Sequence, residues 1–170
     1  GTDLTGLGAH PYNYEPDLSY AMSYRATSPT LDLFYYKNLN LFFQRYLNIE
    51  VWDSAYIQVS IDNGNTWNTI WNNHNSWISD FQWAQQRIEV PDEFARTHQL
   101  QVRFPLGPTD GEDNNSGWNS DDVYRTGEFI TRDVGVSEWI YPLSGSGHSS
   151  ADSVTVRISN YGGAEITEPV

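Results

Sequence analysis

The sequence predicts an all-β protein, a β-sandwich or jelly roll, and three observations support this fold class. Helical periodicity is nearly absent from the 170 residues. Short alternations of apolar and polar residues recur instead, separated by clusters of Gly, Pro, Asn and Asp. The chain also carries 7 Trp, 11 Tyr and 7 Phe, and large flat side chains suit sheet surfaces and sandwich cores. Several strands with one polar face each are typical of two packed antiparallel sheets.

The first two long strands show the alternation most clearly. The segment KNLNLFFQRYLNI predicts an inward face made of Leu39, Leu41, Phe43, Arg45 and Leu47. The segment SAYIQVSI predicts Ile57, Val59 and Ile61 inward, with Tyr56, Gln58 and Ser60 outward. The pair Asn63-Gly64 follows it and predicts a hairpin, because both residues tolerate positive φ.

Further strands are predicted in TWNTIW, QQRIEVP and LQVRFPLG, and the segment DEFARTHQ is a single helical turn or a loop. The segment WNSDDVYRTGEFI closes a first domain, residues 1–131. The strands DVGVSEWIYPL and DSVTVRISNYGG follow. About 40 residues with two or three strands are too few to bury an independent core. Residues 132–170 are therefore predicted to be the first part of a second, Ig-like sandwich.

Charge and residue content exclude several classes of function. The formal net charge is −13, from nine Lys+Arg and 22 Asp+Glu, which disfavours nucleic acid and anionic membranes as partners. The absence of cysteine excludes disulfides and thiolate metal sites. No apolar run approaches the ~20 residues of a membrane span, so membrane insertion is not expected.

Catalysis is not expected either. The four histidines are scattered without HExxH spacing, and no G-x-S-x-G elbow or cysteine nucleophile is present. Asp121 and Asp122 are adjacent, and adjacent residues of a regular strand point to opposite faces, so they do not form an acid/base pair by themselves. We predict no catalytic residue on this chain.

Three motifs carry a resemblance to a known family. LDLFYYKNLNLFFQRYLNIE, WDSAYIQVSIDNGNTWNTIW and LQVRFPLGPTDGEDNNSGWNSDDV resemble, in order, the signatures of MAM-like jelly-roll modules over residues 28 to about 124. The segment SADSVTVRISNYGGAEI is similar to the first strands of Ig-like (CARDB-like) repeats. Such modules occur in secreted or cell-surface multidomain bacterial proteins, including type IX-secreted proteins of Bacteroidetes. The resemblance implies a secreted or cell-surface location in a bacterium.

The acidic residues of the resembled modules suggest a calcium ion. In those modules the aspartate before the SAYIQV strand and the DDV aspartates lie close together, which corresponds here to Asp53, Asp121 and Asp122. Asp3 could join them, and calcium takes ~6–8 oxygen ligands. The alternative is an ion pair with Arg45, since an inward guanidinium needs a carboxylate partner. Asp110, Glu112 and Asp113 are predicted to form a solvated loop.

In the segment WNSDDVYRTGEFI, regular strand alternation does not place all apolar residues on one face. Trp118 and Val123 both resemble core residues, yet regular alternation places them on opposite faces of one strand. A β-bulge at Ser120–Asp122 would resolve the conflict and bring both aspartates toward one point. The sequence therefore predicts an irregular strand here.

Aromatic residues in a polar loop suggest ligand binding. Trp77, Trp83 and His74 lie in a segment rich in Asn, where a core role is not evident. Exposed indoles flanked by amides could stack on sugar rings, because loops on a rigid sandwich are common recognition sites. The alternative is that Trp77 and Trp83 fold back to cap one open end of the sandwich.

Three functions remain open from the sequence. The first is a non-catalytic recognition or adhesion module that binds a glycan or a surface protein beside neighbouring domains of the same polypeptide. The second is an ancillary region of a secreted hydrolase, such as a peptidase, whose catalytic domain lies outside this chain. The third is a structural spacer.

Overall fold

Ten strands form in the computed structural model, which describes residues 14, 17–19, 24–112, 115–142, 149 and 153–167. They are β1 Tyr24–Thr27, β2 Tyr36–Ile49, β3 Tyr56–Ser60, β4 Asn68–Asn72, β5 Ile78–Ser79, β6 Ala84–Glu89, β7 Gln101–Leu106, β8 Gly117–Phe129, β9 Val134–Tyr141 and β10 Thr155–Asn160. Within these described ranges there is no α-helix, only a 3-10 turn at Asp92–Phe94. The all-β prediction is confirmed.

The strands form three sheets. One has the order β1-β7-β3-β4, and its neighbouring strands are antiparallel. In the second, the long strand β2 pairs with β5 and β6 and also with β8. The third contains β9 and β10. The chain divides into two units, Gly1–Glu128 and Phe129–Val170, so the first two sheets belong to one unit and the third sheet to the other. The MAM-like and Ig-like assignments stay predictions.

The core of the first unit is filled by inward side chains of strands in both sheets. The fully buried members of β2 and β3 are Leu39, Phe43, Leu47, Ile49, Ile57 and Val59. Trp71 and Trp118 are partly buried and pack against both core clusters. Each fully buried Leu, Ile or Phe stabilises the fold by about 1.5–3 kcal/mol relative to an exposed side chain. The alternation of the sequence thus predicted this core.

Strand β3 departs from the alternation at its carboxyl end. Ile61, predicted inward, is 39% exposed, whereas Ser60 and Gln58, predicted outward, are buried. The buried side chains have hydrogen-bond partners: the Ser60 hydroxyl donates to Asp62 Oδ1 at 2.7 Å. Gln58 Oε1 accepts from Arg103 Nε at 2.7 Å. Burial of these polar groups is therefore tolerated because their hydrogen bonds are satisfied.

The predicted hairpin forms at Asn63-Gly64, whose φ angles are 58° and 82°. The Asp62 carboxylate holds this turn together. It accepts from the Thr66 amide at 2.9 Å and from the Thr66 hydroxyl at 2.6 Å, in addition to the Ser60 hydroxyl. These hydrogen bonds lower the pKa of Asp62 from 3.8 to about 2.

Acid is expected to remove the contribution of Asp62 to stability. A lowered folded-state pKa contributes stability that is fully present above pH 3.8 and is lost as the pH falls through about 2. The difference in free energy of unfolding between wild type and Asp62→Asn should therefore shrink from pH 5 to pH 2. Urea denaturation at a series of pH values measures it, with the exposed Glu112→Gln as control. A difference that stays constant over that range would contradict this role.

The second unit leaves large apolar side chains in solvent. The cross-strand pairs Val136–Ile158 and Trp139–Val156 join β9 to β10. Val136, Trp139 and Ile158 are 61%, 59% and 53% exposed. Two strands alone do not bury these residues. That residues 132–170 are the first part of an Ig-like sandwich stays a prediction.

Candidate functional site

Three carboxylates converge where β2 leads into β3 and where the chain leaves β7. Glu50, Asp53 and Asp110 each offer an oxygen atom, and these atoms all lie within 4.8 Å of one another. Backbone hydrogen bonds bring the two segments together: Ser54 N donates to Pro108 O at 3.0 Å, and Gly107 N donates to Ser54 O at 2.7 Å. We name Glu50, Asp53 and Asp110 the carboxylate cluster.

Asp53 is the buried centre of the cluster, with an exposed fraction of 0%. The Tyr14 hydroxyl donates to its Oδ2, and the Asp110 amide donates to its Oδ1 at 3.0 Å. Burial nevertheless raises the pKa of Asp53, because desolvation outweighs these hydrogen bonds. Burial also raises the pKa of Tyr14, which keeps the hydroxyl a donor. The cluster therefore concentrates hard oxygen atoms and negative charge, as a divalent cation requires.

The sequence predicted a different set of ligands around Asp53. Asp121 and Asp122 are exposed on β8, and neither belongs to the carboxylate cluster. Asp122 has a φ of 50°, so the backbone does depart from regular extended geometry there, and its amide donates to Asp121 Oδ1 at 2.8 Å. That departure does not bring the two aspartates into the cluster around Asp53. Asp3 lies outside the described residues.

The sequence analysis did not predict Glu50 or Asp110 as members of the cluster, nor Tyr14 as the hydrogen-bond partner of Asp53. Asp110 was predicted to be solvated, and its side chain is exposed. Its carboxylate nevertheless lies near that of Asp53, and its backbone amide donates a hydrogen bond to Asp53 Oδ1. Its position directly after a predicted strand is the signal that could have found it. Tyr14 offers no such signal, since it comes from a segment far away in sequence.

Arg45 forms the inward ion pair that was predicted, but with another partner. Its Nε and Nη2 donate to Asp80 Oδ2 and Oδ1 at 2.9 and 3.0 Å. The two side chains are only 15% and 14% exposed. Asp80 lies beside Arg45 because β5 and β6 both pair with β2, and residue 80 is between them. The prediction that Asp53, Asp121 or Asp122 pairs with Arg45 is therefore wrong.

The polar loop between β4 and β6 presents its aromatic side chains to solvent. Trp77 and Trp83 are 58% and 50% exposed, so they do not fold back as a cap, and Phe81 is 91% exposed. His74 is exposed in a left-handed conformation with a φ of 50°. Trp52, at 67% exposure, was not singled out from the sequence. We name Trp77, Phe81 and Trp83 the aromatic loop.

Asn73 connects the aromatic loop to the carboxylate cluster. This buried amide donates to Asp53 O at 2.8 Å and to Ser76 O at 3.3 Å, and its Oδ1 accepts from the Ala55 amide at 3.1 Å. Ser76 directly precedes Trp77. A change in the backbone at Asp53 would therefore be transmitted to the base of the aromatic loop.

An apolar groove of about 660 Å³ lies between β1 and β8. Phe104, Leu106, Trp118 and Val123 contribute to its lining. Val123 was predicted to be a core residue, but it is 52% exposed. The left-handed backbone at Asp122 explains the difference, because it interrupts the alternation on which that prediction depended.

Comparisons with known proteins show a distant structural likeness. No family model and no curated protein matches the chain. Among solved structures, the chain is similar to the K3 cleaved adhesin domain of Lys-gingipain from Porphyromonas gingivalis W83. The identity is 17% and the TM-score 0.40, with 65% of this chain and 70% of that chain covered. A likeness at that level assigns neither a family nor an activity.

Proposed function

We propose that this chain is a non-catalytic recognition module of a secreted or cell-surface bacterial protein, and that it binds neutral carbohydrate through the aromatic loop. The observation that carries the proposal is the exposure of three large aromatic side chains on one polar loop. Large apolar groups held in solvent by a rigid scaffold are typical of binding sites. The flat face of an indole accepts the C–H face of a sugar ring, and neighbouring amides can bind its hydroxyls.

The charge of the chain favours an uncharged ligand. A net charge of −13 repels anionic glycans as it repels phosphate backbones. The described residues contain no helix long and apolar enough to cross a membrane. The carboxylates of the cluster are not among the residues that line the apolar groove.

We also propose that the carboxylate cluster binds calcium and thereby stabilises the module. Three carboxylates with oxygen atoms within 4.8 Å of one another repel each other unless a cation or a proton offsets their charge. Asp53 and Glu50 would supply buried oxygen ligands, and Asp110 an exposed one. Through Asn73, the bound ion would also hold the base of the aromatic loop.

The exposed apolar side chains of the second unit support a role for neighbouring domains. We propose that further strands of the same polypeptide cover Val136, Trp139 and Ile158, as the remaining strands of an Ig-like sandwich would. The module would then be joined to its neighbours through this unit.

Removing the aromatic loop side chains is expected to weaken carbohydrate binding. Trp77→Ala and Trp83→Ala should each lower the affinity for the best ligand of a neutral glycan array about tenfold, as the loss of an aromatic anchor usually does. Isothermal titration calorimetry measures the affinity. Trp139→Ala, a tryptophan 59% exposed in the other unit, is the matched control. No binding to any glycan, or equal binding by all variants, would exclude the proposal.

A further inference from the structure

The outward face of β2 continues from the aromatic loop along the second sheet. Its inward positions, Leu39, Leu41, Phe43 and Leu47, are buried. Because side chains alternate along a strand, Asn40, Phe42, Gln44 and Tyr46 lie on the opposite, solvent-facing side. The cross-strand partners of Asn40, Phe42 and Gln44 on β6 are Glu89, Arg87 and Gln85. This face thus combines aromatic rings with amide and charged side chains.

One aromatic platform on this face is formed by Phe42 and Tyr124. Their rings are stacked, with centroids 5.1 Å apart and an angle of 6° between the planes. Tyr124 is 47% exposed, so the outer ring remains accessible. Gln85 Nε2 donates to the Tyr124 hydroxyl at 3.1 Å, which fixes the ring orientation. The platform is therefore held in place before any ligand binds.

A second aromatic platform lies further along the same strand. The ring centroids of Tyr46 and Trp83 are 5.9 Å apart, and Trp83 is half exposed. Phe42 and Tyr46 are four residues apart on one face of β2, which separates the two platforms by roughly 13 Å. Gln44 lies between them and offers an amide. Trp83 belongs to both the aromatic loop and this face.

A polar groove of about 500 Å³ extends the face beyond the Phe42 platform. Asn40, Arg87, Glu89 and Glu128 are among its lining residues. Arg87 Nε donates to Asn40 Oδ1 at 2.8 Å, which orients the amide. Hydrogen-bond donors and acceptors of this kind suit hydroxyl groups, and the two carboxylates disfavour an anionic ligand.

We propose that this face binds a linear, neutral polysaccharide chain that runs along β2 from Trp83, past Tyr124, into the polar groove. The inference rests on the proposed carbohydrate binding at the aromatic loop and extends it from one sugar to a chain. Two aromatic platforms on one face, with amides between and beyond them, fit two non-adjacent sugars of one extended polymer chain. A ligand recognised only by its terminal sugar would need one platform.

A length series of oligosaccharides tests this proposal. We would titrate the protein with neutral β-1,4-linked glucose, mannose, xylose and N-acetylglucosamine oligomers, from disaccharide to hexasaccharide, by calorimetry. In the series that binds, affinity should increase with length until both platforms are occupied. Tyr124→Ala should weaken hexasaccharide binding about tenfold and leave disaccharide binding at Trp83 unchanged. Tyr124→Phe keeps the ring stacked on Phe42 but loses the hydrogen bond from Gln85, so it should lose less hexasaccharide affinity than Tyr124→Ala.

The outcomes separate this proposal from the proposed function. If Trp83→Ala weakens binding but Tyr124→Ala does not, and affinity is independent of length, the chain-binding face is overturned and the aromatic loop site stands. If Tyr124→Ala weakens hexasaccharide binding while the Trp77 and Trp83 variants bind normally, both the loop site and the chain path over Trp83 are overturned. Binding of no oligomer in any series overturns the chain-binding face. Thermal unfolding of Tyr124→Ala confirms that the variant is folded.

Discussion

Replacing Asp80 with alanine is expected to lower the free energy of unfolding by about 3 kcal/mol, the typical cost of leaving a buried charge without its partner. The Arg45 side chain is only 15% exposed, and Asp80 accepts two of its hydrogen bonds. Asp80 Oδ2 also accepts from the Leu47 amide at 2.9 Å, so a backbone donor loses its partner too. The midpoint of thermal unfolding should fall by roughly 10 °C.

An exposed ion pair of the same unit provides the control. Lys37 and Glu128 are 53% and 62% exposed, with nitrogen and oxygen 3.6 Å apart. Surface pairs contribute about 0–1 kcal/mol, so Glu128→Ala should change stability little. The double variant Arg45→Met, Asp80→Leu should recover much of the loss, because it removes both charges and keeps apolar volume. A single Asp80→Ala variant as stable as wild type would show that the pair does not stabilise β2.

Calcium is expected to raise the midpoint of thermal unfolding relative to the same protein in EDTA. A ligand that binds only the folded state stabilises it by about 2.7 kcal/mol at a concentration 100 times its Kd, or roughly 5–10 °C here. Asp53→Asn should remove this shift because it replaces the central buried carboxylate of the cluster. Differential scanning calorimetry with EDTA, and then with calcium restored, measures the shift.

The double variant Asp121→Asn, Asp122→Asn is the informative control. It removes two carboxylates that were predicted from the sequence to bind calcium. If calcium binds at the carboxylate cluster instead, this variant should show the same calcium-dependent rise in unfolding midpoint as the wild type. The pH dependence gives a second readout. A raised folded-state pKa of Asp53 contributes stability that is present below 3.8 and lost as the pH rises through the folded value, so this loss should appear in EDTA and disappear with calcium. No shift on adding calcium would exclude the metal proposal.

Local chemistry made part of this structure predictable. Asn63-Gly64 predicted a turn because its residue types tolerate positive φ, and both angles are positive in the structure. The inward face of β2 was predictable because a fixed period of two decides which side chains face the core. Arg45 was assigned inward by the same rule. These features depend on residues that are only a few positions apart in the sequence, so they can be predicted from the sequence alone.

The candidate site is formed by contacts between residues far apart in the sequence, which local sequence patterns do not predict. Tyr14 meets Asp53 across 39 residues, and Asp110 meets it across 57. The partner of Arg45 was missed for a related reason: Asp80 lies in an interruption between two short strands, β5 and β6, that both pair with β2. Alternation predicts which side of a strand a charge occupies. Alternation does not predict which distant loop supplies the partner of that charge.

The contacts of Asp53 with residues far away in the sequence affect how the chain folds. Its partners Tyr14 and Asp110 are brought together only when segments far apart in sequence have closed into one structure. Folds dominated by such non-local pairings have high contact order and fold in milliseconds to seconds, because loop entropy is lost before the contacts form. Asp53 should therefore acquire its native surroundings late, and variants there should accelerate unfolding while leaving the folding rate almost unchanged.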